Sequence, residues 1–137
     1  MNITSDALLT DLYELTMAQA YLAQGMTDIA VFEFFVRKLP PQRNFFMAAG
    51  LEQVLSYLEA FQFSDADIAW LDQTGGFSPA SLNALRAMRF TGEVHAMPEG
   101  SLFFPHEPIL RITAPLPQAQ LVETRVMNLL NFQTMVA

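Results

Sequence analysis

The sequence contains no cysteine. That absence removes disulfides, thiol nucleophiles and thiolate metal sites together. Positive charge is also scarce: seven Lys and Arg stand against fourteen Asp and Glu, for a net charge of −7. The seven cations are scattered, so no basic stripe is present to neutralise a phosphate backbone, and nucleic-acid binding is excluded as a reading. No window reaches the run of about 18 apolar residues that a membrane span needs. The opening MNITSDALLTD has neither a basic n-region nor a long apolar stretch, so it is not read as a signal peptide. With no membrane signal and no disulfide chemistry, a cytoplasmic protein is the default expectation. No internal repeat or low-complexity tract interrupts the chain.

What the sequence does have is apolar bulk. Hydrophobic residues make up 52% of the 137, twelve Phe and eight Met among them, mean hydropathy is +0.24 and charged residues are only 15%. Such a chain is about one domain in length. So apolar a surface favours a piece that buries part of itself against another domain or subunit over a self-contained globule.

Periodicity and punctuation outline the elements. Residues 11–24 read as a helix with Thr10 as its cap, Asp11 and Glu14 in the first turn, Leu12, Leu15 and Ala18 on one stripe, and Gly25 as its stop. DIAVFEFFVRKLP (28–40) alternates as a strand, with Ala30, Phe32, Phe34 and Val36 on one face and Val31, Glu33, Phe35 and Arg37 on the other. AAGLEQVLSYLEAF (48–61) is an amphipathic helix carrying Leu51, Val54, Leu55 and Leu58 on its stripe. Two short helices follow, 64–73 capped by Ser64 and 78–88 capped by Ser78 with Pro79 at its first position. From residue 92, prolines break the apolar runs into short strands near 93–97, 101–104 and 109–113. Residues 118–137 are helical and apolar to the last residue, with no stop signal. The pattern is read as a chain cut in the middle of something.

Several motifs carry little chemistry. His95 and His106, eleven positions apart and without cysteine, make a poor metal pair. Gly75 and Gly76 lack the surroundings of a phosphate loop. Glu99 reads as a solvated turn residue, and Lys38 and Arg43 as loop charges. Asn128, amid Met127, Leu129 and Leu130, reads as a polar contact from the last helix toward whatever follows it. The 92–115 segment has the look of a biotin or lipoyl carrier, but those need a lysine at a hairpin tip, and the only lysine is Lys38.

Taken together, LLTDLYELTMAQAY, then FEFFVRKLP with AAGLEQVL, then PEGSLFFPHEPILRITAPLPQAQLVETRVMNLLNFQTMVA resemble, in order, the N-terminal part of the nicotinate phosphoribosyltransferases. The resemblance covers nearly the whole chain. It implies an α+β fold: helices on a small, mostly antiparallel sheet, a β-sandwich-like segment near 92–115, and a final helix leading to a (β/α) barrel. It divides the chain into residues 1–117 as the domain proper and 118–137 as the helix toward that barrel. It implies coupling of nicotinate to phosphoribosyl pyrophosphate, with ATP hydrolysis and Mg2+, in sites shared across a homodimer. It also places three substrate-binding candidates. Tyr13 would stack on the pyridine ring from the neighbouring subunit, Asp11 would lie near the base, and Arg37 would grip phosphate through forked hydrogen bonds.

The barrel's histidine, phosphate loops and magnesium contacts have no counterpart in these residues. The isolated chain is therefore expected to bind neither Mg2+ nor ATP and not to turn over. The competing expectation is a non-catalytic dimerisation module derived from the same family.

Overall fold

The structure is a computed structural model and describes residues 6–137; the first five residues of the domain expected at 1–117 lie outside the described residues. A 3-10 turn at Asp6–Leu8 precedes α1 (Leu12–Ala23) and the strand β1 (Ile29–Phe34). After a short β2 (Phe46–Met47) come three helices, α2 (Leu51–Glu59), α3 (Asp65–Thr74) and α4 (Pro79–Ala87). The chain closes with β3 (Glu93–Ala96), β4 (Leu102–Phe103), β5 (Leu110–Pro115) and the long α5 (Leu116–Val136).

Two antiparallel sheets result. In the larger, β5 lies between β1 and β3, with Phe32 and Val94 both opposite Ile112. In the smaller, β2 pairs with β4 through Phe46–Phe103 and Met47–Leu102. The 92–115 segment is thus shared between two sheets. Alternation decides which side of the larger sheet is covered. Leu110, Ile112 and Ala114 of β5 are buried, with Ala30, Phe32 and Phe34 of β1 packed against the same core. Glu33 and Arg111 meet on the open face at 2.7 Å.

The core lies between this sheet and the helices. Leu15 and Ala18 of α1, Val54, Tyr57 and Leu58 of α2, Phe61 and Phe63, and Leu121, Val122, Val126 and Leu130 of α5 are buried together. Phe61 meets Tyr57 and Phe63 edge to face, at 5.8 and 5.7 Å between ring centres. A second cluster of Phe46, Ala48, Phe103 and Ile109 holds the small sheet, its two phenyl rings stacked at 5.2 Å. The helix α5 passes beside α1, α2 and β1, so it positions most of the molecule.

Several expectations are corrected. The strand expected over 28–40 ends at Phe34, because its partner β5 begins at Leu110 and the ladder has nothing further to pair with. Beyond it the Val36 carbonyl accepts from the His106 amide at 2.8 Å, an isolated link across a loop. On α2, Leu55 is turned to solvent and Tyr57 takes the inward position. On α1, Leu12 is 64% exposed while Glu14 is fully buried. Thr10 does not cap α1: the cap position is Asp11, and the Thr10 hydroxyl goes to the Glu14 carboxylate instead.

Two charged side chains also turn out to terminate helices. Glu99 Oε1 accepts from the Gly50 amide at 2.8 Å and the Glu52 amide at 3.4 Å, so this exposed turn residue is also a remote acceptor for the start of α2. Arg43 donates to the Met135 carbonyl at 2.7 Å and the Thr134 carbonyl at 3.4 Å, at the far end of α5. Ser64 and Ser78 cap α3 and α4 as the sequence suggests, Ser64 within a reciprocal capping box with Asp67.

Candidate functional site

The three substrate-binding candidates lie along one side of α5. Asp11 Oδ2 accepts from the Thr124 hydroxyl at 2.9 Å, which ties the start of α1 to the first half of α5. Tyr13, the second residue of α1, is 48% exposed. Its neighbours are acidic. Loss of solvent on its inner side, followed by the carboxylates of Glu123, Glu14 and Asp11, holds the phenol above its ordinary pKa. At neutral pH Tyr13 is therefore a neutral, electron-rich ring.

Arg37 is exposed, in the loop after β1. It borders a cleft of about 570 Å³ formed with Phe34, Phe35, Met127, Asn131 and Phe132. Asn128 lies in the same cleft, exposed beside Met127. Thr124, beside Asp11, and Asn131, beside Arg37, are seven positions apart on α5, or roughly 10 Å along the helix. The structure thus brings Asp11 and Tyr13 together and leaves Arg37 two turns away. A smaller cleft lies beside the Arg37 cleft. It runs from Glu123 to Met127 across Phe32, Phe34 and Ile112, and shares Phe34 and Met127 with the Arg37 cleft.

Sequence reading missed Glu14 as a member of this site. It is buried completely, yet none of the three ion pairs among the described residues involves it. Its carboxylate accepts from Thr10, and the Tyr13 hydroxyl lies 3.5 Å from its Oε1. Burial raises its pKa, hydrogen bonds from Thr10 and Thr124 oppose the rise, and Glu123 and Asp11 add to it. The available signal was the spacing Thr10–Glu14, which puts a hydroxyl one helical turn before the acid.

Near this group, Arg125 pairs with Asp6 at 2.6 Å, while its Nε and the Tyr57 hydroxyl are buried without a hydrogen-bond partner. Desolvation, and then Glu14, push the Tyr57 phenol well above its ordinary range. Asp6, Tyr57 and Arg125 border a further cleft of about 500 Å³ beside α2.

An α+β domain with this arrangement of helices and antiparallel sheets is found among known proteins. Residues 8–131 match the family model described as the nicotinate phosphoribosyltransferase (NAPRTase) N-terminal domain. The chain belongs to that family. It is 53% identical over 131 residues to a nicotinate phosphoribosyltransferase of Mycobacterium tuberculosis, covering 96% of this chain and 28% of that protein. With the Bacillus subtilis nicotinate phosphoribosyltransferase it shares 42% identity over 132 residues, covering 96% of the chain and 27% of the relative. Among solved structures, human nicotinic acid phosphoribosyltransferase superposes with a TM-score of 0.85 at 40% identity, over 93% of this chain and 26% of that one. A nicotinate-nucleotide pyrophosphorylase from Pyrococcus furiosus, at 20% identity and TM-score 0.67, shares the fold. The chain therefore spans little more than a quarter of the length of these relatives.

Proposed function

We propose that this chain completes the base-binding side of a nicotinate phosphoribosyltransferase site whose remaining parts come from sequence equivalent to the rest of its relatives. The enzyme so assembled couples nicotinate to phosphoribosyl pyrophosphate, with ATP hydrolysis, to give nicotinate mononucleotide, pyrophosphate, ADP and phosphate. The observation that carries the reading is Tyr13, a half-exposed ring in a domain matched over residues 8–131. A pyridine ring is flat and electron-poor, so a neutral phenol stacked on it gains both contact area and quadrupole complementarity. Asp11, one oxygen held by Thr124, keeps the other for the edge of the base. Arg37, which borders a cleft further along α5, is taken as the group for the phosphoribosyl end of the substrate.

On this reading residues 1–117 form the domain proper and 118–137 the helix toward the barrel, the molecule works as a homodimer, and its compartment is the cytoplasm. Mg2+ and ATP serve the assembled enzyme elsewhere. Among the described residues no group of three or more His, Asp or Glu side chains is placed to hold a metal ion. No step of the reaction is therefore assigned here to a metal.

The test supplies nicotinate, phosphoribosyl pyrophosphate, Mg2+ and ATP to the chain alone, and to the chain joined to the remaining length of the M. tuberculosis relative. Nicotinate mononucleotide is the readout. The account expects product only from the joined protein, with Tyr13→Ala lowering kcat/KM for nicotinate by about 10-fold or more, the loss of one stacked aromatic. A folded joined protein without activity would overturn the reading.

A further inference from the structure

We propose that Glu14 is a positioning residue for Tyr13: its buried carboxyl group, held by Thr10, tethers the phenol hydroxyl and so fixes the direction in which the ring faces outward. The inference rests on reading Tyr13 as the base-stacking aromatic.

Among the described residues Glu14 faces no cation within ion-pairing distance, and a carboxyl group buried without one is costly unless its hydrogen bonds serve an arrangement. Its hydrogen bonds come from Thr10 at the start of α1 and from Thr124 of α5, and Tyr13 is the aromatic that stands beside them. Thr10 donates to Oε2, and the Tyr13 hydroxyl stands 3.5 Å from Oε1. The Thr10 hydroxyl also lies 3.5 Å from the Leu121 carbonyl of α5, an alternative acceptor for its single proton. A tyrosine side chain has only two torsions, and holding its hydroxyl end restricts both while leaving the ring faces free. Supporting contacts of this kind are what hold a recognition group to the tolerance that binding needs.

The ionisable groups around Glu14 are Asp11 at the start of α1, Tyr13 on α1 and Glu123 on α5, and its charge acts on Tyr57 of α2 as well.

The test is ring-labelled tyrosine NMR of the 137-residue chain, whose three tyrosines give three sets of signals, that of Tyr13 identified by its loss in Tyr13→Phe. The Tyr13 signal is expected to show an inflection above the ordinary glutamate range. It should be lost in Glu14→Gln and kept in Asp11→Asn. Glu14→Leu, which preserves bulk and removes the tether, should shift the Tyr13 signal toward that of free tyrosine while the Tyr21 signal stays native. An inflection that survives Glu14→Gln, or a Tyr13 ring as ordered in Glu14→Leu as in the parent, would overturn the proposal. The two ideas fail separately. A tether without any effect of Tyr13→Ala on the joined enzyme sinks the stacking reading alone. Loss of activity in Tyr13→Ala without a tether sinks this inference alone.

Discussion

At the scale of single residues, the buried start of α1 makes a prediction whose sign can be worked out. Burial raises the folded-state pKa of Glu14 above its unfolded value. Its contribution to stability is then fully present below the unfolded pKa and is lost as pH rises through the folded one. Glu14→Gln escapes that loss. The melting temperature of Glu14→Gln relative to the parent should therefore rise as pH increases from the acid range to neutrality; a gap that stays flat or narrows would contradict the assignment. Tyr57→Phe removes a buried hydroxyl that has no partner among the described residues. It should leave stability unchanged or raise it by up to about 1 kcal/mol in urea unfolding, whereas a loss above that would reveal an unseen partner. Neither effect was legible in the sequence. Leu12 and Glu14 are two positions apart at a helix start, and alternation there does not say which of them turns inward. Only the packing of α5 against α1 decides that Leu12 goes out and Glu14 in. Asp11, Tyr13 and Arg37 entered as candidates through the family resemblance alone; the structure adds that Asp11 meets Thr124, that Tyr13 is half-exposed and that Arg37 borders a cleft.

At the scale of elements, helix signals in the sequence were the most faithful. Ser64 and Ser78 cap the helices they precede because a hydroxyl in extended backbone reaches the amide three residues on, a purely local geometry. Local geometry cannot announce a remote cap. Glu99 serves the start of α2 from 49 positions away, and a two-residue strand such as Phe46–Met47 exists only because Leu102–Phe103 lies opposite. Glu99→Ala should accordingly cost about 1 kcal/mol, as an N-cap loss does, and lower helicity near residues 51–54 in hydrogen exchange; an unchanged exchange rate there would refute the remote cap. Gly92 is a second such position. A side-chain carbon built there would sit 2.5 Å from the Ala114 Cβ and 2.6 Å from the Thr113 carbonyl oxygen. Gly92→Ala should therefore push β5 outward at a cost of about 1–3 kcal/mol, measured by thermal unfolding; a substitution within 0.5 kcal/mol of the parent, roughly the level of an ordinary surface change, would show that β5 yields freely.

At the scale of the whole molecule, the composition suggested a surface meant for covering. Exposed apolar side chains are present on the same elements that carry the candidates: Leu12 and Tyr13 on α1, Val31 on β1 with Phe35 just beyond it, and Met127 and Phe132 on α5. The fold class was legible because the helix periods and proline-broken strands are strong local signals. The sharing of the 92–115 segment between two sheets was not, since strand partners are chosen by tertiary packing. The central claim, that Tyr13 serves a site completed by a neighbouring subunit, is tested most directly by mixing two forms of the joined enzyme, one impaired and one inactive. One carries Tyr13→Ala and the other an intact Tyr13 with a disabled barrel. If the site is shared, half of the randomly mixed dimers hold one intact site each, and activity should return to roughly a quarter of the parent's. Mixtures no more active than the impaired form alone, although the subunits exchange, would contradict the account.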